Sequence, residues 1–262
     1  MLGILILLVG GFVALAKAPF LRIGSVEVSG VRTTATSSVE QLIKDHLAGS
    51  YLYLIPKNNI FLYPNEESVE ALRAAYPQFK SVEIHAADFN TLAATIVERQ
   101  PTALWCETVA TTTQVAVRAE APVQGQCYLM DEDGVVYAPA GASTTYAFVS
   151  YDGAVSSLGP RSGGARQYIT PEQYRSLSAL VGAISQSEPS DIVRQVAVDS
   201  DGDALAYFSD GFLLLFNLSD ETGDVYERFS LALKSDPFKD KPLSSFEYLD
   251  LRFGDKLYYK SK

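Results

Sequence analysis

Four Asp-Gly pairs in the second part of the chain constrain its fold more than any other feature of the sequence. They are Asp133-Gly134, Asp152-Gly153, Asp201-Gly202 and Asp210-Gly211, and alternating apolar runs lie around them. An Asp-Gly pair between two such runs is a strong signal for a β-hairpin. The pairs therefore predict a mostly antiparallel β domain over residues 101–262.

Two helices are predicted to interrupt these strands. Thr170-Pro171-Glu172-Gln173 combines a helix cap, a proline at the first helical position and a capping-box glutamine. The second helix is predicted from about Glu221 to Leu233, with Val225 and Phe229 on its buried face.

Residues 21–100 show a different order of elements. The segment Ile23–Val31 alternates apolar and polar side chains as a half-buried strand does. Two helices follow, one behind a capping-box pattern that begins at Ser37 and one capped by Asn65. Two more strands come next, the last at Leu92–Glu98. The predicted order is β-α-α-β-β, so the chain as a whole is assigned to the α+β class.

The N-terminus is an unbroken apolar run, Leu2–Ala16, ended by Lys17. Fifteen helical residues rise only about 22 Å, against a hydrocarbon core of about 30 Å. Adding Ala18–Leu21, with Lys17 snorkelling, lengthens the run towards a full span. We therefore expect a membrane anchor over residues 1–20, preceded by a basic cytoplasmic segment, with the rest of the chain outside the cytoplasm. The alternative is a cleaved signal peptide with Ala14-Leu15-Ala16 as its cleavage site.

The two cysteines fit an exported protein. Cys106 and Cys127 lie at the two ends of one connector between apolar stretches. In an oxidising compartment this position favours a disulfide, which would stabilise the fold by roughly 3 kcal/mol for a loop of about 20 residues. The alternative is a pair of buried, unbonded thiols.

Composition and motifs argue against several function classes. Acidic residues outnumber basic ones by 31 to 21, so no basic stripe for nucleic acid is expected. Two cysteines and two histidines, His46 and His85, do not provide zinc-ligand spacing. Hydrolase, nucleotide and metalloprotease motifs are absent, and Asp199–Asp203 lacks the spacing of a calcium loop, so it is interpreted as a solvated turn. We therefore predict a non-enzymatic protein without cofactor, metal or small-molecule substrate.

Five segments together resemble the FtsQ/DivIB family of bacterial cell-division proteins. Ile23–Val31 has the form I-x-x-V-x-V-x-G, Tyr76–Ile84 precedes and includes a strand, and Ile96–Ala103 contains the run E-R-x-P-x-A. These three resemble the POTRA domain of that family. Tyr128–Tyr137 and Tyr248–Tyr259 resemble strand pairs of its β domain, the second through Y-x-D-L-R-[YF]-G-x-x-[VL]-x-[YW]. Residues 138–200 carry no matching motif.

The resemblance implies a domain order and a role. It implies an anchor at 1–20, a POTRA domain at 21–100 and a β domain at 101–262. It further implies a single-pass inner-membrane scaffold at the division septum. Its partners would be FtsB/DivIC-like and FtsL-like proteins and the septal peptidoglycan synthase complex. The cysteine pair and the lack of a visible cytoplasmic tail depart from the family pattern.

In this family an FtsB/DivIC-like partner adds a strand at the C-terminal hairpin. Carried over by motif, the partner-binding residues are Arg252, Phe253 and Tyr259, with Tyr258 as a neighbour. The resemblance thus predicts that Arg252→Glu or Phe253→Ala abolishes partner binding without unfolding the domain.

Other interpretations remain open at this point. Lys256 and Lys260 flank the last strand, and flanking lysines are an ordinary way to block a sheet edge. At the level of function, the main alternative is a POTRA-containing exported chaperone or translocation component. An anchored cell-wall hydrolase is a third hypothesis, but the sequence offers it no nucleophile or paired carboxylates in a defined setting.

Overall fold

The computed structural model describes residues 2–108, 124–141, 148–153, 164–187 and 191–262 of the chain. The chain forms two compact units that divide after Arg99. Each unit combines helices with a sheet, so the fold is α+β. Most of the predicted connector between the two cysteines lies outside the described residues.

The first unit contains three helices, a three-stranded sheet and a small hairpin. Its elements are α1 (Leu2–Ala16), β1 (Ser25–Ser29), α2 (Thr36–Leu47), β2 (Ser50–Tyr51), β3 (Ile55–Pro56), α3 (Asn65–Ala75), β4 (Phe79–Ala86) and β5 (Thr91–Glu98). The strand order is β1-β5-β4, with β1 parallel and β4 antiparallel to β5. After α1 the elements follow the predicted β-α-α-β-β order, and the β2–β3 hairpin lies in the connection between the two helices.

The core of this unit lies between α2, α3 and one face of the sheet. Val39 and Leu72 from the helices are fully buried, as is Leu92 from β5. Burial of such side chains stabilises the unit by about 1.5–3 kcal/mol each. The predicted cap at Ser37 is wrong, because α2 begins at Thr36 and Ala35 occupies the cap position without a side-chain hydrogen bond.

The predicted membrane anchor is also wrong. Helix α1 ends at Ala16, whose carbonyl oxygen accepts a hydrogen bond from Asn59 Nδ2 at 2.9 Å. The segment expected to lengthen the span forms a separate 3₁₀ turn, Pro19–Leu21, and Leu21 is buried in the core of the first unit. Of the helices in the described part of the chain, none has both the length and the apolar character that a membrane span requires. This finding overturns the predicted anchor at 1–20 and, with it, the predicted single-pass inner-membrane location.

In its described residues the second unit contains a ten-stranded sheet and two α-helices. Its elements are β6 (Ala103–Thr108), β7 (Gln124–Met130), β8 (Val135–Pro139), β9 (Ser150–Gly153), β10 (Arg166–Gln167), α4 (Pro171–Ser187), β11 (Val193–Val198), β12 (Asp203–Phe208), β13 (Leu213–Asn217), α5 (Thr222–Lys234), β14 (Phe246–Phe253) and β15 (Lys256–Ser261). The strand order is β10-β8-β7-β6-β9-β11-β12-β13-β14-β15. Most neighbours are antiparallel, but β9 is parallel to both β6 and β11, and β13 is parallel to β14.

Three of the four Asp-Gly pairs lie in turns between neighbouring strands, as the sequence predicts. The prediction is wrong for Asp152-Gly153, which belongs to strand β9. A Cβ atom on Gly153 would lie 2.1 Å from the carbonyl oxygen of Val198, and φ at Gly153 is +122°. Glycine is therefore required here by the close approach of β11 and by its own φ angle.

Helices α4 and α5 pack on one face of the sheet and form the larger core of the unit. Tyr174 and Leu177 of α4 and Phe229 of α5 contribute fully buried side chains. The predicted capping box of α4 is present, because the Gln173 N–H donates to Thr170 Oγ1 and the Thr170 N–H donates to Gln173 Oε1, both at 3.3 Å. On the other face, Tyr207, Leu213 and Leu215 form a smaller buried cluster.

Candidate partner-binding site

The C-terminal hairpin forms one edge of the ten-stranded sheet. Strand β14 lies between β13 and β15, and Gly254 in the connecting turn has φ +63°. In the part of the chain that the structure describes, no strand pairs with the outer side of β15. All six residues of β15 are exposed. An open edge of this kind offers unpaired main-chain groups to another chain.

The direction of the main-chain groups along β15 follows from one hydrogen bond. The Lys262 N–H donates to the carbonyl oxygen of Ser245 at 3.0 Å, so it points towards β14. Both irregularities in the pairing insert an extra residue into β14, which leaves β15 regular. Because main-chain groups alternate in an antiparallel pair, Leu257, Tyr259 and Ser261 direct their N–H and C=O groups away from β14.

Arg252 is held by bonds within the protein. Its Nε donates to Asp250 Oδ1 at 2.9 Å and its Nη2 to Asp250 Oδ2 at 2.7 Å, while Nη1 donates to Asp203 Oδ2. The hydrogen bonds to Asp250, followed by those to Asp203, raise the pKa of Arg252. The guanidinium thus joins β14 to β12. An ion pair between Arg252 and a partner would require exchange of these bonds.

Phe253 and Tyr258 present a ring pair on the face of the sheet that the helices leave uncovered. Their rings are nearly perpendicular with centroids 5.1 Å apart, and the residues are 55 % and 50 % exposed. Together with Leu215, Tyr248 and Asp250 they line an open hollow of about 320 Å³. A hollow with aromatic walls next to an open strand edge can take an apolar side chain from an added strand.

Tyr259 lies on the opposite face. Its ring contacts Phe238 and Phe246 with centroid distances of 5.3 and 6.1 Å. The four predicted partner-binding residues are therefore divided between two faces, as strand alternation requires for the neighbours Tyr258 and Tyr259. Sequence reasoning missed Leu257, whose position within the predicted edge strand was a usable signal. It also missed Leu215, which reaches the hollow only through the pairing of β13 with β14.

The disulfide is separate from this site. Cys106 and Cys127 are joined by an S–S bond of 2.05 Å and lie directly opposite each other on β6 and β7. Five strands lie between β6 and β15 in the sheet order, so the bond supports the part of the sheet away from the hairpin.

The run E-R-x-P has a structural role in the first unit. The Glu98 carboxylate accepts hydrogen bonds from the Thr33 N–H at 3.0 Å and from the Thr33 hydroxyl at 3.0 Å. The Arg99 Nε donates to the carbonyl oxygen of Pro77 at 3.2 Å. Both residues thus connect the end of β5 to loops by hydrogen bonds, Glu98 to the loop at Thr33 and Arg99 to the loop at Pro77. Neither Glu98 nor Arg99 belongs to the candidate site.

The described residues hold no group of three or more His, Cys, Asp and Glu side chains arranged to bind a metal ion. No protein-family model and no curated protein matches the sequence. The geometry of the C-terminal hairpin, together with the motif resemblance, is therefore the basis for a functional proposal.

Proposed function

We propose that this protein is a non-enzymatic scaffold of the bacterial division machinery. In this role it binds an FtsB/DivIC-like partner, which adds a strand along the outer side of β15 and so links other septal proteins to the complex. The proposal combines the motif resemblance to the FtsQ/DivIB family with the hairpin geometry. It includes neither a membrane anchor nor a cofactor.

The observation that carries the proposal is the open edge at β15. Three residues, Leu257, Tyr259 and Ser261, direct main-chain groups outward, and the whole strand is exposed. Each main-chain hydrogen bond to an added strand contributes about 0.5–1.5 kcal/mol net. The hollow beside Phe253 and Tyr258 gives the added strand a place for one apolar side chain, which supplies specificity.

A proline substitution tests strand addition directly. Leu257→Pro removes a main-chain N–H that points away from β14, so the bonds between β14 and β15 are kept. Leu257→Ala is the matched control, since it shortens the same side chain and keeps the N–H. Titrated with a purified segment of an FtsB/DivIC-like partner, Leu257→Pro should bind at least about tenfold more weakly than Leu257→Ala. Equal affinity of the two variants would place the partner elsewhere.

The same titration separates the proposal from the alternative of an exported chaperone or translocation component. Strand β4 is also an edge strand in the three-stranded sheet of the first unit, which is the observation that favours this alternative. A chaperone would bind unrelated extended peptides as well as it binds the division partner. A scaffold would prefer the partner segment over a scrambled peptide of the same composition.

A further inference from the structure

The last strand carries an unusual distribution of charge. The protein has a net charge of −10, yet residues 256–262 contain three lysines and no acidic residue. In a regular strand every second side chain points to the same face. Lys256, Tyr258 and Lys260 therefore share the face on which Tyr258 meets Phe253. These three alternating residues are called the lysine row.

The positive charge in this row is only partly neutralised within the protein. Lys260 forms an ion pair with Glu247 at 2.7 Å, which uses one of its three N–H donors. Among the described residues, Lys256 has no acidic partner within ion-pair distance, and it is exposed. Lys262 follows the strand, and its Nζ lies near Gly211 in the turn between β12 and β13. Arg252 adds nothing to the row, because Asp203 and Asp250 already bind it.

We infer that the β15 edge selects an acidic strand, with carboxylates alternating around one apolar side chain. This inference rests on the proposed strand addition and names the chemistry of the partner. On the face of the lysine row, the side chain opposite Tyr258 would pack against the Tyr258 ring at the rim of the hollow. Its neighbours two residues away on either side would face Lys256 and Lys260. The expected pattern is acid-x-apolar-x-acid, and it is the same in either strand direction.

The lysine row also explains which strands would be rejected. Opposite charges directly across two strands stabilise their pairing, and like charges destabilise it. A second copy of β15 would place lysines against lysines, so the same row that admits an acidic partner discourages edge-to-edge pairing between copies. Blocking and selecting are then two effects of one set of charges.

The test uses two synthetic peptides and the full chain. The acidic peptide contains Glu-Val-Leu-Val-Glu between threonines, and the basic peptide has lysine in place of both glutamates. The wild-type protein should bind the acidic peptide at least about tenfold more tightly, and the preference should shrink as salt is raised from about 0.05 to 0.5 M. Lys256→Glu should reduce this preference at least about threefold. Lys17→Glu, in the first unit, is the matched control and should leave it unchanged.

The outcomes distinguish this inference from the proposed function. If the partner segment binds the wild-type protein but not Leu257→Pro, while the two peptides bind equally or not at all, strand addition stands and the acidic preference is overturned. A preference for the acidic peptide that Lys256→Glu leaves intact also overturns it. If the acidic peptide is preferred but the division partner does not bind, the proposed function fails and the charge selection stands.

Discussion

Two buried carboxylates differ in the direction of their pKa shifts. Asp152 in β9 is fully buried, and burial raises its pKa to about 6, although a hydrogen bond from Gln195 Nε2 opposes the shift. Its second oxygen has no hydrogen-bond partner among the described residues. For Glu98, burial also raises the pKa, but hydrogen bonds from the loop at Arg32–Thr34 outweigh it, so the pKa is lowered.

The Asp152 carboxylate should make stability depend on pH. The folded state holds this proton up to about pH 6, whereas the unfolded chain releases it near pH 4, so the contribution to the unfolding free energy falls as pH rises between these values. Asp152→Asn should therefore be more stable than wild type at pH 7.5, by at most about 3 kcal/mol, and close to wild type at pH 4. Urea unfolding at the two pH values measures this. A variant that is less stable than wild type at both would contradict it.

Glu98 should show the opposite dependence. A folded pKa below the unfolded one contributes stability at neutral pH, and this stability is lost as the pH falls through the folded pKa. Glu98→Gln should lower the unfolding free energy by about 1–3 kcal/mol at pH 7, because a charged acceptor of several hydrogen bonds is replaced. The difference from wild type should shrink in acid. Thermal unfolding at pH 7 and pH 3.5 tests this, and a difference that grows in acid would refute it.

At the scale of the hairpin, the position of Arg252 changes how its variants should behave. Arg252→Glu places a third carboxylate beside Asp203 and Asp250, so we expect it to destabilise the junction of β12 and β14 by about 2 kcal/mol or more. Phe253→Ala removes an exposed ring and should leave stability within about 0.5 kcal/mol. Hydrogen exchange of the β14 and β15 amides measures both effects. Unchanged protection in Arg252→Glu would mean that the ion pairs contribute little.

This separation makes Phe253→Ala the cleaner probe of partner binding. The sequence-based expectation treated Arg252 and Phe253 as equivalent probes, because the motif alone places them side by side. The ion pair to Asp203 spans 49 positions and depends on how β12 and β14 come together across β13. A local pattern contains no information of that range.

Turns and strands also differ in how far they depend on residues that are distant in the chain. Asp201-Gly202 and Asp210-Gly211 were predictable because a tight turn depends on its own residues and their immediate neighbours. Asp152-Gly153 has the same two letters, but β9 pairs in parallel with two strands that lie far from it in the chain. The hairpin was therefore identifiable as a candidate site, whereas the hollow beside it depends on Leu215 from β13 and was not.

At the scale of the whole molecule, the disulfide should stabilise the second unit. It joins residues separated by 21 positions, and closing a loop of that length is worth roughly 3 kcal/mol in the chain-entropy model. Replacing both cysteines with alanine should lower the protection of β6 and β7 amides against hydrogen exchange and leave the first unit unchanged. Mass mapping without reductant should recover the linked peptides. Two freely alkylatable thiols in the native protein would contradict the bond.

Strand β9 joins the two halves of the large sheet. It is four residues long, yet among the strands that the structure describes it alone connects β10-β8-β7-β6 with the five strands from β11 to β15. The chain reaches β9 after β6, β7 and β8, and it returns to that half of the sheet with β10 before β11 begins. Pairing β9 with both β6 and β11 therefore joins partners that are distant in sequence, and such pairings form slowly. The hairpins of the two halves can thus form separately. The halves become one cooperative unit only when β9 pairs with both β6 and β11. A force that a bound partner exerts on β15 would reach the disulfide-bonded half of the sheet through β9. This strand contains Asp152, whose Oδ1 is buried and has no hydrogen-bond partner among the described residues.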